Sequence, residues 1–302
     1  MTIYFSPTQH SIPIPIIDVG YHDHAVHITA ENAYSGMAGF FLISDKVKDG
    51  GCGSPWNLED IEDRHLVFAD KLIDRQCQLF IDPVANKDNM FGDLNFVSGK
   101  FFPRMPVDPK YYRFRMLNAA VSRPFLISIK NTALQEISQN ICLLIAKDGG
   151  YRPTPAAFPG GGLIMGVGER EEMVCDFTNL SGQTLYLWNG VDPVRMKDVP
   201  MFCYSHLLAR IEVSSIPVSG APVFQPTLNP DTSMVPLERV LSSADIQAGL
   251  QLANKDKPHR VMAFGRSNGR WTINGGMFLF CAFSLSLSLS LMYTHTTVIL
   301  MR

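Results

Sequence analysis

Tyr111-Tyr112-Arg113-Phe114-Arg115-Met116-Leu117-Asn118-Ala119-Ala120 is the stretch on which the fold class turns. Tyr112, Phe114 and Met116 fall on one face, with Arg113 and Arg115 on the other until Leu117. This period of two marks a half-buried strand, with the arginines expected on a solvated or salt-bridged surface rather than at an anion site. Similar runs recur along the chain. Phe91 to Lys100 reads as a strand with a turn at Ser98-Gly99, and Ile141 to Ala146 as a buried strand followed by a turn at Asp148-Gly149-Gly150. Gly168 to Phe177, Leu185 to Asn189 and Ala209 to Val213 continue the series. Many short strands between Gly, Pro, Asn and Asp turns, with hardly any helical periodicity, argue for an all-β sandwich or barrel.

The composition fits such a fold and excludes several function classes. With 46% hydrophobic and 18% charged residues, the 302-residue chain is globular and long enough for one large or two ordinary domains. A net charge of −2 without a Lys/Arg cluster offers no basic field to nucleic acid or to an anionic membrane. No run reaches the roughly 20 apolar residues needed for a membrane-spanning helix. Met277 to Met292 comes closest, and half of it alternates Ser with Leu. Met1 to Val19 does not read as a signal peptide, because it lacks a positively charged start and is interrupted by Pro13 and Pro15. Cys52, Cys77, Cys142, Cys175, Cys203 and Cys281 form no Cys-x-x-Cys pair. Cys142 and Cys175 sit in apolar strand-like runs and are expected as buried free thiols, so the cysteines do not decide the redox compartment.

Metal chemistry points to Tyr21-His22-Asp23-His24-Ala25. In an extended segment His22 and His24 emerge on one side, roughly 6.5–7 Å apart along the backbone. That spacing suits one ion each in a close pair better than one shared ion. Imidazole binds copper, zinc, iron and nickel, so spacing alone does not choose the metal. His10, His65, His206, His259 and His295 are isolated and read as surface or core residues.

The sequence around this pair supplies a resemblance. The run from Tyr21 to Gly39 resembles the second copper-binding segment of multicopper oxidases, and His27-Ile28-Thr29-Ala30-Glu31-Asn32-Ala33-Tyr34 looks like the bilirubin-oxidase-type branch. The resemblance implies that His22 and His24 are ligands of the binuclear type 3 copper pair. His27 falls on no ligand position and is expected to support or pack. Gly36 and Gly39, before Phe40-Phe41-Leu42-Ile43, fit a turn into the closing strand of a barrel. Tyr111 to Arg123 resembles the family's second-domain signature, with Val107-Asp108-Pro109-Lys110 as its lead-in. Gly168 to Phe177 resembles the family's Glu-Arg strand, with Glu171 where an aromatic is usual.

The implied fold is a set of cupredoxin-like Greek-key barrels. Residues 19–45 would end the first, 46–63 link, and 64–213 form the second. Residues 214–259 would connect onward, with a short helix at Ser242 to Gln247, and 260–276 form the first hairpin of the third. Residues 1–18 and 277–302 match nothing in the family. The middle barrel would carry no copper, acting as a spacer, and its carboxylates are read as surface.

The implied chemistry exceeds what these residues hold. Family members oxidise phenolic or tetrapyrrole-type small molecules and reduce dioxygen to water, using a type 1 copper with Cys, His and a weak axial Met. They also use a trinuclear cluster with four His-x-His pairs. This sequence has one such pair. The run Ser284-Leu285-Ser286-Leu287-Ser288-Leu289-Ser290-Leu291 has the form of a CT-dinucleotide repeat read in frame, the competing reading being an amphipathic edge strand with Leu on one face and Ser on the other. The sequence is therefore expected to be part of a larger copper-dependent oxidoreductase, inactive alone. The alternative is a non-catalytic copper-binding or interaction module.

Overall fold

The computed structural model describes residues 18–42, 56, 58–81, 90–148, 150–226, 264–267, 270–273 and 276–277. Ser242 to Gln247, residues 1–17 and most of the 277–302 tail lie outside the described residues. The chain divides into two units, Met1–Met234 and Val235–Arg302.

The first unit begins with β1 (Asp18–His22), α1 (Thr29–Tyr34) and β2 (Ala38–Leu42). It continues through β3 (Glu62–Ile73), β4 (Leu79–Phe80), β5 (Leu94–Val97), β6 (Lys100–Phe101), β7 (Arg104–Val107) and β8 (Tyr111–Asn118). Then come β9 (Phe125–Lys130), α2 (Ser138–Ile141), β10 (Cys142–Lys147) and β11 (Gly150–Ala157). The unit's last strands are β12 (Leu163–Met165), β13 (Arg170–Asp176), β14 (Thr184–Asn189) and β15 (Leu207–Val213). In the second unit β16 (Phe264–Ser267), β17 (Arg270–Ile273) and β18 (Gly276–Met277) form an antiparallel sheet. β16 and β17 fall within residues 260–276.

Two sheets build the middle of the chain, and the fold is all-β and cupredoxin-like. One has the order β11-β10-β13-β8-β3-β5-β6, with β4 added to β3; the other has the order β12-β9-β14-β15-β7. β8 sits between β13, antiparallel, and β3, parallel. Phe68, Tyr112, Phe114 and Met116 meet Phe125, Ile127, Leu187 and Ile211 in a shared core. Each fully buried side chain of this size contributes about 1.5–3 kcal/mol. The Ser98-Gly99 turn between β5 and β6 has positive φ at both residues (49° and 77°), the geometry that two-residue hairpins favour.

Three expectations need correction. β8 is not half-buried, because Arg113 and Arg115 are 2% and 4% exposed. Trp56, Leu58, Ile61, Tyr151 and Phe224 form a second apolar cluster with Ala146 and Val174, strand residues beside the arginine row. Beneath this cover Arg113 Nε donates to Glu172 (2.7 Å), while Arg115 donates to Asp63 (2.8 Å) and Glu172 (3.1 Å). Alternation identifies one core face; it does not say that remote segments cover the other. The carboxylates are likewise not all at the surface, since Asp70, Glu171 and Glu172 are buried. Finally, Cys142 and Cys175 are not free thiols. They are directly opposed on β10 and β13, with Cα atoms 4.1 Å apart, and form a disulfide. A separation of 33 residues hides an adjacency that only antiparallel pairing creates.

Arg123 is fully buried and ties four segments together. It donates to Asp70 (2.7 Å) and to the carbonyls of Gly92 (2.7 Å) and Pro200 (2.9 Å), while Gly92 N donates to Asp70 (2.6 Å). A Cβ on Gly92 would lie 2.2 Å from the Lys71 backbone nitrogen, so this close approach requires glycine. Replacing Arg123 by Met would strand the Asp70 carboxylate, with an expected loss of about 3–5 kcal/mol measured by urea denaturation. An unchanged midpoint would show that Asp70 is satisfied without it.

Glu171 gives a pH signature. Burial pushes its carboxyl above the ordinary value of 4.5, with Lys147 (3.1 Å) and Arg152 (3.4 Å) opposing the shift. The folded state then holds this proton more readily than the unfolded chain. Stability assigned to Glu171 therefore rises as pH falls from the raised folded value toward the unfolded one. Comparing thermal melts of Glu171→Gln with the parent should show the parent gaining, relative to the variant, across that mildly acidic window. Parallel curves would contradict it.

Candidate metal centre

Strand β1 ends at His22, and the two-stranded β1–β2 ribbon pairs His22 with Ala38 and Tyr21 with Gly39. The strand expected through Ala25 stops early because Asp23 turns the chain. Asp23 N donates to Met37 O (3.0 Å), and its Oδ2 accepts from Ala25 N (3.0 Å) and Asn32 Nδ2 (2.9 Å). The Asn32 amide, then the Ala25 backbone N–H, hold the Asp23 carboxyl below its ordinary value. Thr29 Oγ1 closes the next turn onto Ala25 O (2.6 Å), and α1 follows. The return to β2 passes Gly36 at φ 109°, a conformation that glycine adopts without a Cβ penalty.

Despite the early strand end, His22 and His24 stay side by side. Their ring centroids lie 5.9 Å apart with 30° between planes, and both side chains are exposed. His22 Nδ1 lies 2.7 Å from Asp23 O. A carbonyl only accepts, so Nδ1 carries the proton and Nε2 keeps its lone pair free. Such a donation to a backbone carbonyl is the usual arrangement of a metal-ligating imidazole. The donor chemistry therefore fits copper at these two positions.

Among the described residues, no other histidine joins this pair. His27 is exposed at φ 68° rather than packed. His65 lies 3.9 Å from Asp63, and His206 stacks on Trp188 with its Nδ1 3.0 Å from Asn189 O. His10, His259 and His295 lie outside the described residues. Among the described residues no group of three or more His, Cys, Asp or Glu could hold a metal ion. Asp23 and Asn32 were not singled out by sequence, although an Asp one residue before a turn is a known turn former.

No family model matches the sequence. It is 31% identical to bilirubin oxidase of Albifimbria verrucaria over 261 residues, 85% of this chain and 41% of that protein. It is 30% identical to a laccase of Bacillus stratosphericus over 186 residues, 56% of this chain and 33% of that protein. In structure it matches the McoA multicopper oxidase of Aquifex aeolicus with a TM-score of 0.62 at 23% identity, covering 88% of this chain and 52% of that one. The chain belongs to the multicopper oxidase family. Within it, the chain is similar to bilirubin oxidase and the laccases, spanning less than half the length of these relatives. The family implies copper as cofactor.

Two imidazoles are an incomplete donor set, since stable sites use three or four ligands. Isothermal titration of this chain should therefore find Cu(II) bound at about micromolar Kd or weaker, and His22→Ala or His24→Ala should remove even that. Stoichiometric nanomolar copper would reveal a self-sufficient centre.

Proposed function

We propose that His22 and His24 are ligands of a type 3 copper pair, in a protein that oxidises a small phenolic or tetrapyrrole-type molecule with dioxygen as electron acceptor. The observation carrying this reading is the paired rings, with His22 held so that Nε2 is free to bind metal. The similarity to bilirubin oxidase over 85% of this chain supports the assignment of copper rather than zinc or iron. Copper, when bound, supplies one-electron steps, so that four substrate oxidations and four protons convert one dioxygen to two waters. The chain's own part is narrower. His22 presents its Nε2 beside the His24 ring, and Asp23 fixes the turn between them. The middle sheets are read as a spacer that holds the copper-bearing parts of the complete protein apart.

The remaining donors belong to the complete protein. The transcript carrying this sequence is expected to encode further His-x-His pairs and a His-Cys-His segment. Protein made from it should bind several coppers per chain, absorb in the blue-copper band and consume one dioxygen per four electrons taken from substrate. A transcript without those motifs, with near-zero copper and no oxygen uptake, would replace this reading with a non-catalytic interaction module.

A further inference from the structure

The His22–His24 turn is not held by its own ribbon alone. Tyr34, on α1, is buried, and its hydroxyl accepts from Leu72 N on β3 (2.6 Å) and donates to Phe80 O on β4 (3.1 Å). The Lys71 ammonium lies over the Tyr34 ring, 4.3 Å from its centroid, and donates to the Tyr34 carbonyl. Asn32 is two residues earlier on the same helix, about 200° around its axis, and so points the other way. There its amide donates to Asp23 Oδ2 (2.9 Å), and the Asp23 carbonyl accepts from His22 Nδ1 (2.7 Å). A continuous path thus runs from β3 and β4 through Tyr34 and Asn32 to Asp23 and the His22 ring.

The geometry points to Asn32 and Tyr34 as positioning residues for the histidine pair: Tyr34 docks α1 on the middle sheets, and Asn32 transmits that docking to Asp23 and so to the His22 tautomer. Neither residue touches a metal in this role. The inference deepens the copper reading, on which its consequence for metal affinity rests, but the tautomer claim stands on the protein alone. Without the Asn32 amide, the carboxylate of Asp23 keeps only the Ala25 N–H, so Asp23 is held less tightly although its own N–H still bonds Met37 O. The Asp23 carbonyl then loses alignment with Nδ1, and the His22 proton redistributes toward Nε2. Tyr34→Phe keeps the ring under Lys71 but removes both hydroxyl bonds, freeing the helix end.

The test uses the full 302-residue chain, metal-free and 15N-labelled, at a pH where the imidazoles are neutral. Long-range 1H–15N correlations report the tautomer of each histidine. The parent should show His22 protonated at Nδ1. Asn32→Ala and Tyr34→Phe should each shift it toward Nε2–H, while the signals of His206, remote in sequence, stay unchanged as a control for folding. Cu(II) titration of the same samples should show affinity about tenfold weaker in Asn32→Ala than in the parent. An unchanged His22 tautomer in Asn32→Ala overturns the proposal. So does a parent in which His22 already carries its proton on Nε2. A tautomer shift with copper affinity unchanged from the parent upholds the positioning path and overturns its consequence for metal binding.

Discussion

Strand β3 has to bury two adjacent ionisable residues, Asp70 and Lys71, and the way it does so organises the first unit. Side chains alternate along a strand, so neighbours must find partners on opposite sides. Asp70 meets Arg123 and Gly92 N, while Lys71 meets the carbonyl and ring of Tyr34. Removing a carboxylate or an ammonium from water costs several kcal/mol unless it is paired. Burial accordingly drives the Asp70 carboxyl upward and the Lys71 amine downward, each held back by a charged neighbour. These opposed demands fix where the β8–β9 connection and α1 lie against β3.

The histidine pair inherits its position from this strand. α1 has six residues, too few to be stable by itself in water, and it has no side-chain cap at its start. What holds it is the Tyr34 hydroxyl, wedged between Leu72 N and Phe80 O, together with Lys71. The β1–β2 ribbon likewise leaves Tyr21, Met37, Phe41 and Leu42 largely exposed. A ribbon this small gains little from its own packing, so contacts with the middle sheets matter more to its placement than its internal hydrogen bonds.

Much of this was legible in the sequence, and the illegible parts share one cause. The strands at Tyr111–Asn118, Cys142–Lys147 and Arg170–Asp176 follow from alternation and apolar runs, and the Ser98-Gly99 turn from its residue types. His22 and His24 lie side by side as expected, although through a turn at Asp23 rather than through an extended strand. Adjacency between distant segments was not legible. The Cys142–Cys175 bond, the cover over Arg113 and Arg115, and the Asp70–Arg123 pair all join residues more than 30 positions apart. Each depends on strand order, which no local pattern encodes. Glu171 marks the boundary of such reading: a carboxylate in place of an aromatic suggests exposure, yet it is buried against Lys147 and Arg152.

The apolar cover on the outer face joins segments that bracket the two sheets in the chain. Trp56 precedes β3, Phe224 follows β15, and their rings meet edge-on with centroids 6.4 Å apart. Tyr151, from β11, completes the contact, 5.7 Å from Trp56. In mechanical terms the segments entering and leaving the sheets are fastened to one another outside the core. Tension carried along the chain through either segment is borne first by this aromatic clasp, before any strand of the sheets is peeled.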